Sequence, residues 1–165
     1  DEHDENVFDK TLHLVDESCS EVRHISHQMA PNVLLKAGLT TAVRDFIDKI
    51  DARKLKVNLS TFGLQERLDH NIEIVLYRVI QEAVNNVIKH ANANTLDIQL
   101  TKDKEGINVM IEDNGDGFDM SQSEKFEGIG LKNISSRVTY LKGTVDFSSQ
   151  PEEGTLVAIF IPFEK

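Results

Sequence analysis

HNIEIVLYRVIQEAVNNVIKHA, residues 70–91, decides how the rest of the chain is read. Leu76, Ile80, Ala83, Val84, Val87 and Ile88 recur at helical spacing and define one apolar side. At ~100° per residue, Glu82, Asn86 and Lys89 fall on the other side within an arc of roughly 60°, with Arg78 and Asn85 at its edges. The spacing predicts a helix of about five to six turns. A stripe of carboxylate, amide and ammonium groups is, taken alone, a solvated face. Two consecutive asparagines sit poorly in mid-helix, however. A carboxamide oxygen is also a good hard ligand for Mg²⁺ alongside phosphates.

Working outward, the residues after this helix alternate. Leu96, Ile98 and Leu100 mark a strand over 95–101, and Ile107, Val109 and Ile111 a second over 107–112. KDKEG between them is a short hairpin-type turn. A polar, Gly-rich loop spans 113–130. A helix of about three turns follows over 130–142 and stops before Gly143, a natural C′ residue. Two strands, 144–149 and 155–161, flank the turn PEEG. Before residue 70, Leu55, Val57 and Leu59 alternate into a strand over 55–61, and a turn lies around Gly63. Apolar spacing predicts one helix over 33–50, which Gly38 weakens, and another over 6–30, ended by Pro31. The expected fold class is α/β: a two-layer sandwich of a five-stranded sheet with about three helices on one face. Residues 1–31 read as an appendage and 32–165 as the domain.

Composition bounds the partners. The 165 residues are 39% hydrophobic and 28% charged, an ordinary globular balance. Asp and Glu number 28 against 18 Lys and Arg, for a net charge of −10, and the basic footprint needed for phosphate-backbone contact is missing. Nucleic acid is not expected as a partner. No apolar run approaches the roughly 18 residues that span a bilayer, so no direct membrane contact is expected of this stretch. The single Cys, Cys19, cannot form an internal disulfide and reads as a small apolar side chain.

Three further stretches could carry chemistry. In IEDNGDGFD (111–119) a strand runs into Asp113, and Gly115 and Gly117 allow close backbone approach or positive φ. Asn-Gly and Asp-Gly are also common turn dipeptides. A calcium loop starting at Asp113 fails, because glycines stand where two of its ligands are needed and Phe118 where its glycine is. In GIGLKN (128–133) a Gly-x-Gly opens a helix, where backbone N–H groups bind phosphate. EGT (153–155) is by itself an ordinary turn. None of these decides a function singly.

Their order and spacing do. QEAVNNVIKHA (81–91), DNGDGF (113–118), GIGL (128–131) and GT (154–155) together resemble the ATP-binding domain of the GHKL superfamily. That superfamily comprises sensor histidine kinases, DNA gyrase, mismatch-repair MutL proteins and heat-shock chaperone ATPases. The form of the helix motif, the short loop between the Gly motifs and the stretch EVRHISHQMAP are most similar to bacterial sensor histidine kinases paired with helix-turn-helix response regulators. The resemblance implies ATP and Mg²⁺ as cofactors and a five-stranded mixed sheet.

It also implies roles. Asn86 is the Mg²⁺ ligand, Lys89 a phosphate contact, and Asn85 and His90 lie at the nucleotide. Glu82 is a catalytic carboxylate held loosely to that role. Asp113 accepts the adenine amine; a carboxylate can only accept, so it should favour adenine over guanine. Gly115 and Gly117 form the hinge of a short lid over 119–127. Gly128, Ile129, Gly130 and Leu131 meet the phosphates, and Thr155 shares a water with Asp113 at adenine.

By the same resemblance, 6–30 corresponds to the second helix of a dimerisation and phosphotransfer hairpin. His27 in SHQMAP is a poor phosphoacceptor, because Gln28 stands where an acidic residue belongs. The acceptor His is therefore expected outside this stretch, which would be part of a longer, cytoplasmic or membrane-anchored protein. A response regulator receiver domain and a homodimer through the hairpin are the implied partners. A protein serine kinase of the anti-sigma type and a non-catalytic nucleotide-binding scaffold are the rival readings.

Overall fold

The computed structural model describes residues 7, 10–12, 14–15, 30–122 and 130–164. The chain divides into two compact units, Asp1–Pro31 and Asn32–Lys165. In the first, the described residues between Val7 and Val15 are helical and exposed, and the Thr11 hydroxyl donates back to the Val7 carbonyl at 2.8 Å. Most of the helix expected over 6–30, including His27 and Gln28, lies outside the described residues.

The second unit runs α1 (Asn32–Ala37), α2 (Leu39–Asp48), β1 (Lys56–Phe62), α3 (His70–Asn86), β2 (Thr95–Lys102), β3 (Gly106–Asp113), α4 (Leu131–Tyr140), β4 (Thr144–Gln150) and β5 (Gly154–Pro162). The five strands form one sheet in the order β1-β2-β3-β5-β4. β1 and β2 are parallel, as a helical crossover requires, and the other three pairings are antiparallel.

Sheet alternation is one-sided. Leu96, Ile98 and Leu100 of β2, Ile107, Val109 and Ile111 of β3, and Val157, Ile159 and Ile161 of β5 are buried. Most of their neighbours along the strands are not. Register carries this pattern across the sheet, since Ile98 pairs with Ile111 and Ile111 with Val157. The buried sides of α2 (Ala42, Val43), α3 (Leu76, Ile80, Val84) and α4 (Ile134, Val138) complete the core. Each fully buried Leu or Ile contributes about 1.5–3 kcal/mol relative to exposure.

Three local expectations are corrected. The helix expected over 33–50 is two helices, because Gly38 between them takes φ 89° and helical propagation stops there. The helix expected over 70–91 is α-helical only to Asn86, and Val87–Ala91 form a π turn. At the end of α4 the left-handed residue is Lys142 (φ 56°), not Gly143. Gly143 follows it and closes the helix by donating to the Val138 carbonyl at 3.0 Å. A side chain at Gly143 would meet the Phe160 carbonyl and the Ile161 side chain, so glycine is needed there for space.

An ion pair between a buried carboxylate and a partly exposed guanidinium joins the helices. Glu73 on α3 is 3% exposed and pairs with Arg67 at 2.7 Å. The same carboxylate accepts the Leu39 N–H at 3.0 Å, the first residue of α2. Arg67 in turn donates to the Leu34 carbonyl near the end of α1 at 3.2 Å. One pair thus satisfies backbone groups of two helix ends that meet at Gly38.

Candidate functional site

A cavity of about 450 Å³ opens between α3 with its π turn, the ends of β3 and β5, the loop after β3, and α4. Its closed end is polar. Asp113, the last residue of β3, pairs in register with Thr155 of β5. Both side chains therefore share the helix-facing side of the sheet. Asp113 is 6% exposed. Burial raises its pKa above the ordinary 3.8, and hydrogen bonds from the backbone of Gly115 and Thr155 partly offset that rise. The Gly115 N–H reaches the Asp113 carboxylate at 2.8 Å. The result is a desolvated carboxylate whose only chemistry toward the cavity, when ionised, is to accept.

Three backbone segments meet around this end. The Asp116 N–H donates to the Ala91 carbonyl at 2.7 Å, tying the loop to the π turn. The Glu152 N–H donates to the Asp116 carbonyl at 2.5 Å, tying the same loop to the β4–β5 turn. The glycines follow from this crowding. A Cβ at Gly115 would strike the Ala91 carbonyl, and one at Gly117 would strike the carbonyls of Gln150 and Gly154. Gly117 also takes φ 61°. Their close approach is thus to neighbouring backbone. Asn114 locks the loop laterally, its side-chain oxygen accepting from the N–H groups of Asn94 at 3.1 Å and Thr95 at 3.0 Å.

The other wall is α3. Asn86 lines the cavity, and its amide Nδ2 is buried with no hydrogen-bond partner. Glu82, one turn earlier, is half-buried and lies against Gly130, the left-handed residue (φ 74°) that opens α4. A side chain at Gly130 would collide with the Glu82 carboxylate, so a glycine there lets the helix start approach α3.

The structure brings Asn86, His90, Asp113, Gly117, Leu131 and Thr155 to the cavity wall. It does not bring Asn85 or Lys89 there, and both are exposed. The π turn explains the second. It carries more residues per turn than an α-helix, so each step rotates less, and His90 rather than Lys89 comes round to the side of Asn86. Glu82, Gly115 and Gly130 stand behind the wall. Gly128 and Ile129, and most of the expected lid, lie outside the described residues. Among the described residues no cluster of three or more His, Cys, Asp or Glu side chains could hold a metal, so a metal here would depend on Asn86 and on the ligand itself.

The sequence reading did not name the apolar lining, such as Ile111, Ile134 and Val157, nor two further contributors. Phe118 lines the cavity. Ser149 of β4, 7% exposed, sits behind Thr155 at 2.8 Å. A signal existed for the second: Val145, Phe147 and Ser149 alternate, so Ser149 is a hydroxyl on the inward set of its strand.

Residues 71–165 match the family of histidine kinase-, DNA gyrase B- and HSP90-like ATPases, and the chain belongs to that family. Within it, curated relatives of this chain include histidine kinases. The signal transduction histidine-protein kinase/phosphatase DegS of Brevibacillus brevis is 34% identical over 151 residues, which are 90% of this chain and 39% of that protein. The oxygen sensor histidine kinase NreB of Staphylococcus carnosus is 32% identical over 143 residues, 86% of this chain and 41% of that protein. The chain thus spans about two fifths of the length of these relatives. Solved structures agree on the fold. The Acinetobacter baumannii histidine kinase AdeS superposes with a TM-score of 0.60 at 22% identity, covering 96% of this chain and 84% of that one. The ATP binding domain of PrrB from Mycobacterium tuberculosis gives 0.55 at 19% identity, covering 77% and 92%.

Proposed function

We propose that the second unit is the nucleotide-binding, phosphoryl-donating part of a sensor histidine kinase, taking ATP with Mg²⁺. One observation carries the reading. A buried carboxylate, Asp113, stands beside the Thr155 hydroxyl at the closed end of the cavity, and an amide with unspent hydrogen-bonding capacity, Asn86, stands on its opposite wall. An acceptor-only carboxylate suits the exocyclic amine of adenine. The orphan Asn86 Nδ2 is a donor and suits a phosphate or water oxygen, while the carbonyl oxygen of the same amide is the atom that would ligate a hydrated Mg²⁺, which takes one or two protein oxygens and completes its shell with water and phosphate. When bound, that ion would neutralise charge on the phosphates. The N-terminus of α4 would offer backbone N–H groups to the same phosphates. Phosphoryl transfer asks little covalent chemistry of the protein, so these residues would act by holding and orienting the donor.

The whole protein's reaction follows from the relatives as a proposal. The γ-phosphoryl group passes to a histidine of a phosphotransfer hairpin and then to an aspartate of a response regulator receiver domain, one with helix-turn-helix output. The exposed apolar residues Val7, Leu14 and Val15 on one side of the first helix suit packing against a partner helix, which supports a homodimer through that hairpin. A cytoplasmic setting fits the ATP requirement. Among the described residues no helix is long and apolar enough to cross a membrane. Net charge of −10 argues against nucleic acid as a partner. The anti-sigma type serine kinase is not favoured, since the relatives named above are histidine kinases.

Calorimetry of the chain with ATP and GTP, each with and without Mg²⁺, tests the reading. Mg²⁺-dependent ATP binding with a clear preference over GTP is expected; equal affinity would overturn the adenine assignment. Incubation with labelled ATP and a separately supplied acceptor hairpin should then give acid-labile, base-stable phosphate on that hairpin.

A further inference from the structure

Ser149 is buried, lies outside the cavity wall, and has three hydrogen-bond neighbours. The Phe118 N–H, which can only donate, reaches its Oγ at 2.9 Å. The Gly154 carbonyl, which can only accept, lies 2.9 Å away. The Thr155 Oγ1, which can do either, lies 2.8 Å away. A serine hydroxyl has one proton and two lone pairs. If its proton goes to Gly154, one lone pair takes the Phe118 N–H and the other is left for Thr155, which must then donate. With the serine proton on Gly154, the direction that contact requires, Thr155 is the donor to Ser149; the reverse would leave the serine and Gly154 oxygens 2.9 Å apart with no proton between them. The Thr155 proton is therefore turned inward, toward β4. What Thr155 presents to the cavity is oxygen lone pairs, beside the carboxylate of Asp113.

We propose that Ser149 is a specificity-positioning residue: it fixes the Thr155 hydroxyl as an acceptor, so that the closed end of the cavity takes an amino group and turns away a carbonyl. The inference rests on the cavity being a purine-nucleotide site. It adds that part of the selectivity resides in a residue that never touches the ligand. Without Ser149, the Thr155 hydroxyl becomes a free rotor and can donate to a 6-oxo group, while Asp113 still repels one. Discrimination is then weakened, not reversed.

ITP is the suitable probe, since it differs from ATP only in bearing oxygen in place of the amine at C6, with the accompanying proton on N1. Affinities of the wild type, Ser149→Ala, Ser149→Cys and Ser149→Thr for Mg-ATP and Mg-ITP are measured together. The ratio of ITP to ATP dissociation constants is expected to fall about fivefold in Ser149→Ala, the worth of one hydrogen bond. It should fall similarly in Ser149→Cys, whose thiol is a weak donor and acceptor. Ser149→Thr, which keeps the hydroxyl, should hold the wild-type ratio. A purely structural role would weaken both nucleotides in parallel at constant ratio, and that result overturns the inference while leaving the ATP reading intact. A wild-type chain that binds neither nucleotide overturns the ATP reading itself, and this inference with it. The alanine and cysteine variants are read independently, so one that fails to fold leaves the other to decide.

Discussion

Asn86 has an amide nitrogen that is buried and makes no hydrogen bond, so removing that nitrogen takes no internal bond with it. Alanine is also the better helix former. Asn86→Ala is therefore expected to leave the melting temperature within about 2 °C of wild type, the shift of ~0.5 kcal/mol. Mg²⁺-dependent ATP affinity should be lost in the same variant. A calorimetric titration beside a thermal melt checks both, and a large fall in melting temperature without nucleotide would make Asn86 structural. Asp113 gives a pH dependence. Its pKa is raised above 3.8 by burial, so the folded chain takes up this proton earlier on acidification than the unfolded chain does. The buried charge thus costs stability above the raised value, and that cost is relieved as pH falls through it. If Asp113 takes the adenine amine as proposed, binding should run the other way: it would need the ionised acceptor, be full above the raised value and decline as pH drops through it. Affinity measured from neutral to acid pH should show that decline setting in above 3.8, and an ATP affinity flat down to that value would contradict it. At this scale the sequence was informative where a residue type is chemically singular, as with Asp113 in a Gly-flanked strand end. It said little about Ser149, whose role depends on a partner strand.

Elements were legible where periodicity was long. All five strands and the long helix follow from alternation and helical spacing, because burial on one side imposes those periods. What escaped was set by tertiary contacts. The π turn at Val87–Ala91 meets the loop after β3 through the Ala91 carbonyl, and nothing local to KHA announces it. It turns His90 rather than Lys89 toward the side of Asn86. The Arg67–Glu73 pair was equally silent, since Arg67 lies in a loop and Glu73 reads as a first-turn acid on α3. It has an energetic consequence. Glu73→Ala removes the partner of the Arg67 guanidinium at the end of α1 and the acceptor of the Leu39 N–H. Arg67 is partly exposed and can turn to water, so the loss falls mainly on the buried Leu39 N–H and on the tie between the two helix ends, and Glu73→Ala should be clearly less stable than wild type. Glu73→Gln, which can still accept from Leu39, should lose less. Urea denaturation of the two variants should rank them in that order, and equal stability of Glu73→Ala and wild type would show that the junction at Gly38 is held by packing alone.

Across the second unit, the segments that build the cavity come from distant parts of the chain. Asp113 and Thr155 become neighbours only through the β3–β5 ladder, and β1 reaches β2 only by the crossover through α3. Pairings of this kind are closed at high entropic cost and tend to form late. The position of Asp113 and Thr155 at the end of their ladder therefore has a kinetic meaning. If the ladder forms late, a ligand held there would be bonded to contacts that the folding transition state has not completed. Interactions absent from that state slow unfolding and leave the folding rate unchanged. Stopped-flow experiments with saturating nucleotide should lower the unfolding arm of the chevron while the refolding arm stays in place. Equal movement of both arms would mean that the nucleotide-binding end of the sheet assembles early, as a nucleus for the rest. If unfolding alone slows, the lifetime of the folded domain in a cell follows the nucleotide supply, and the domain persists longest when its phosphoryl donor is abundant.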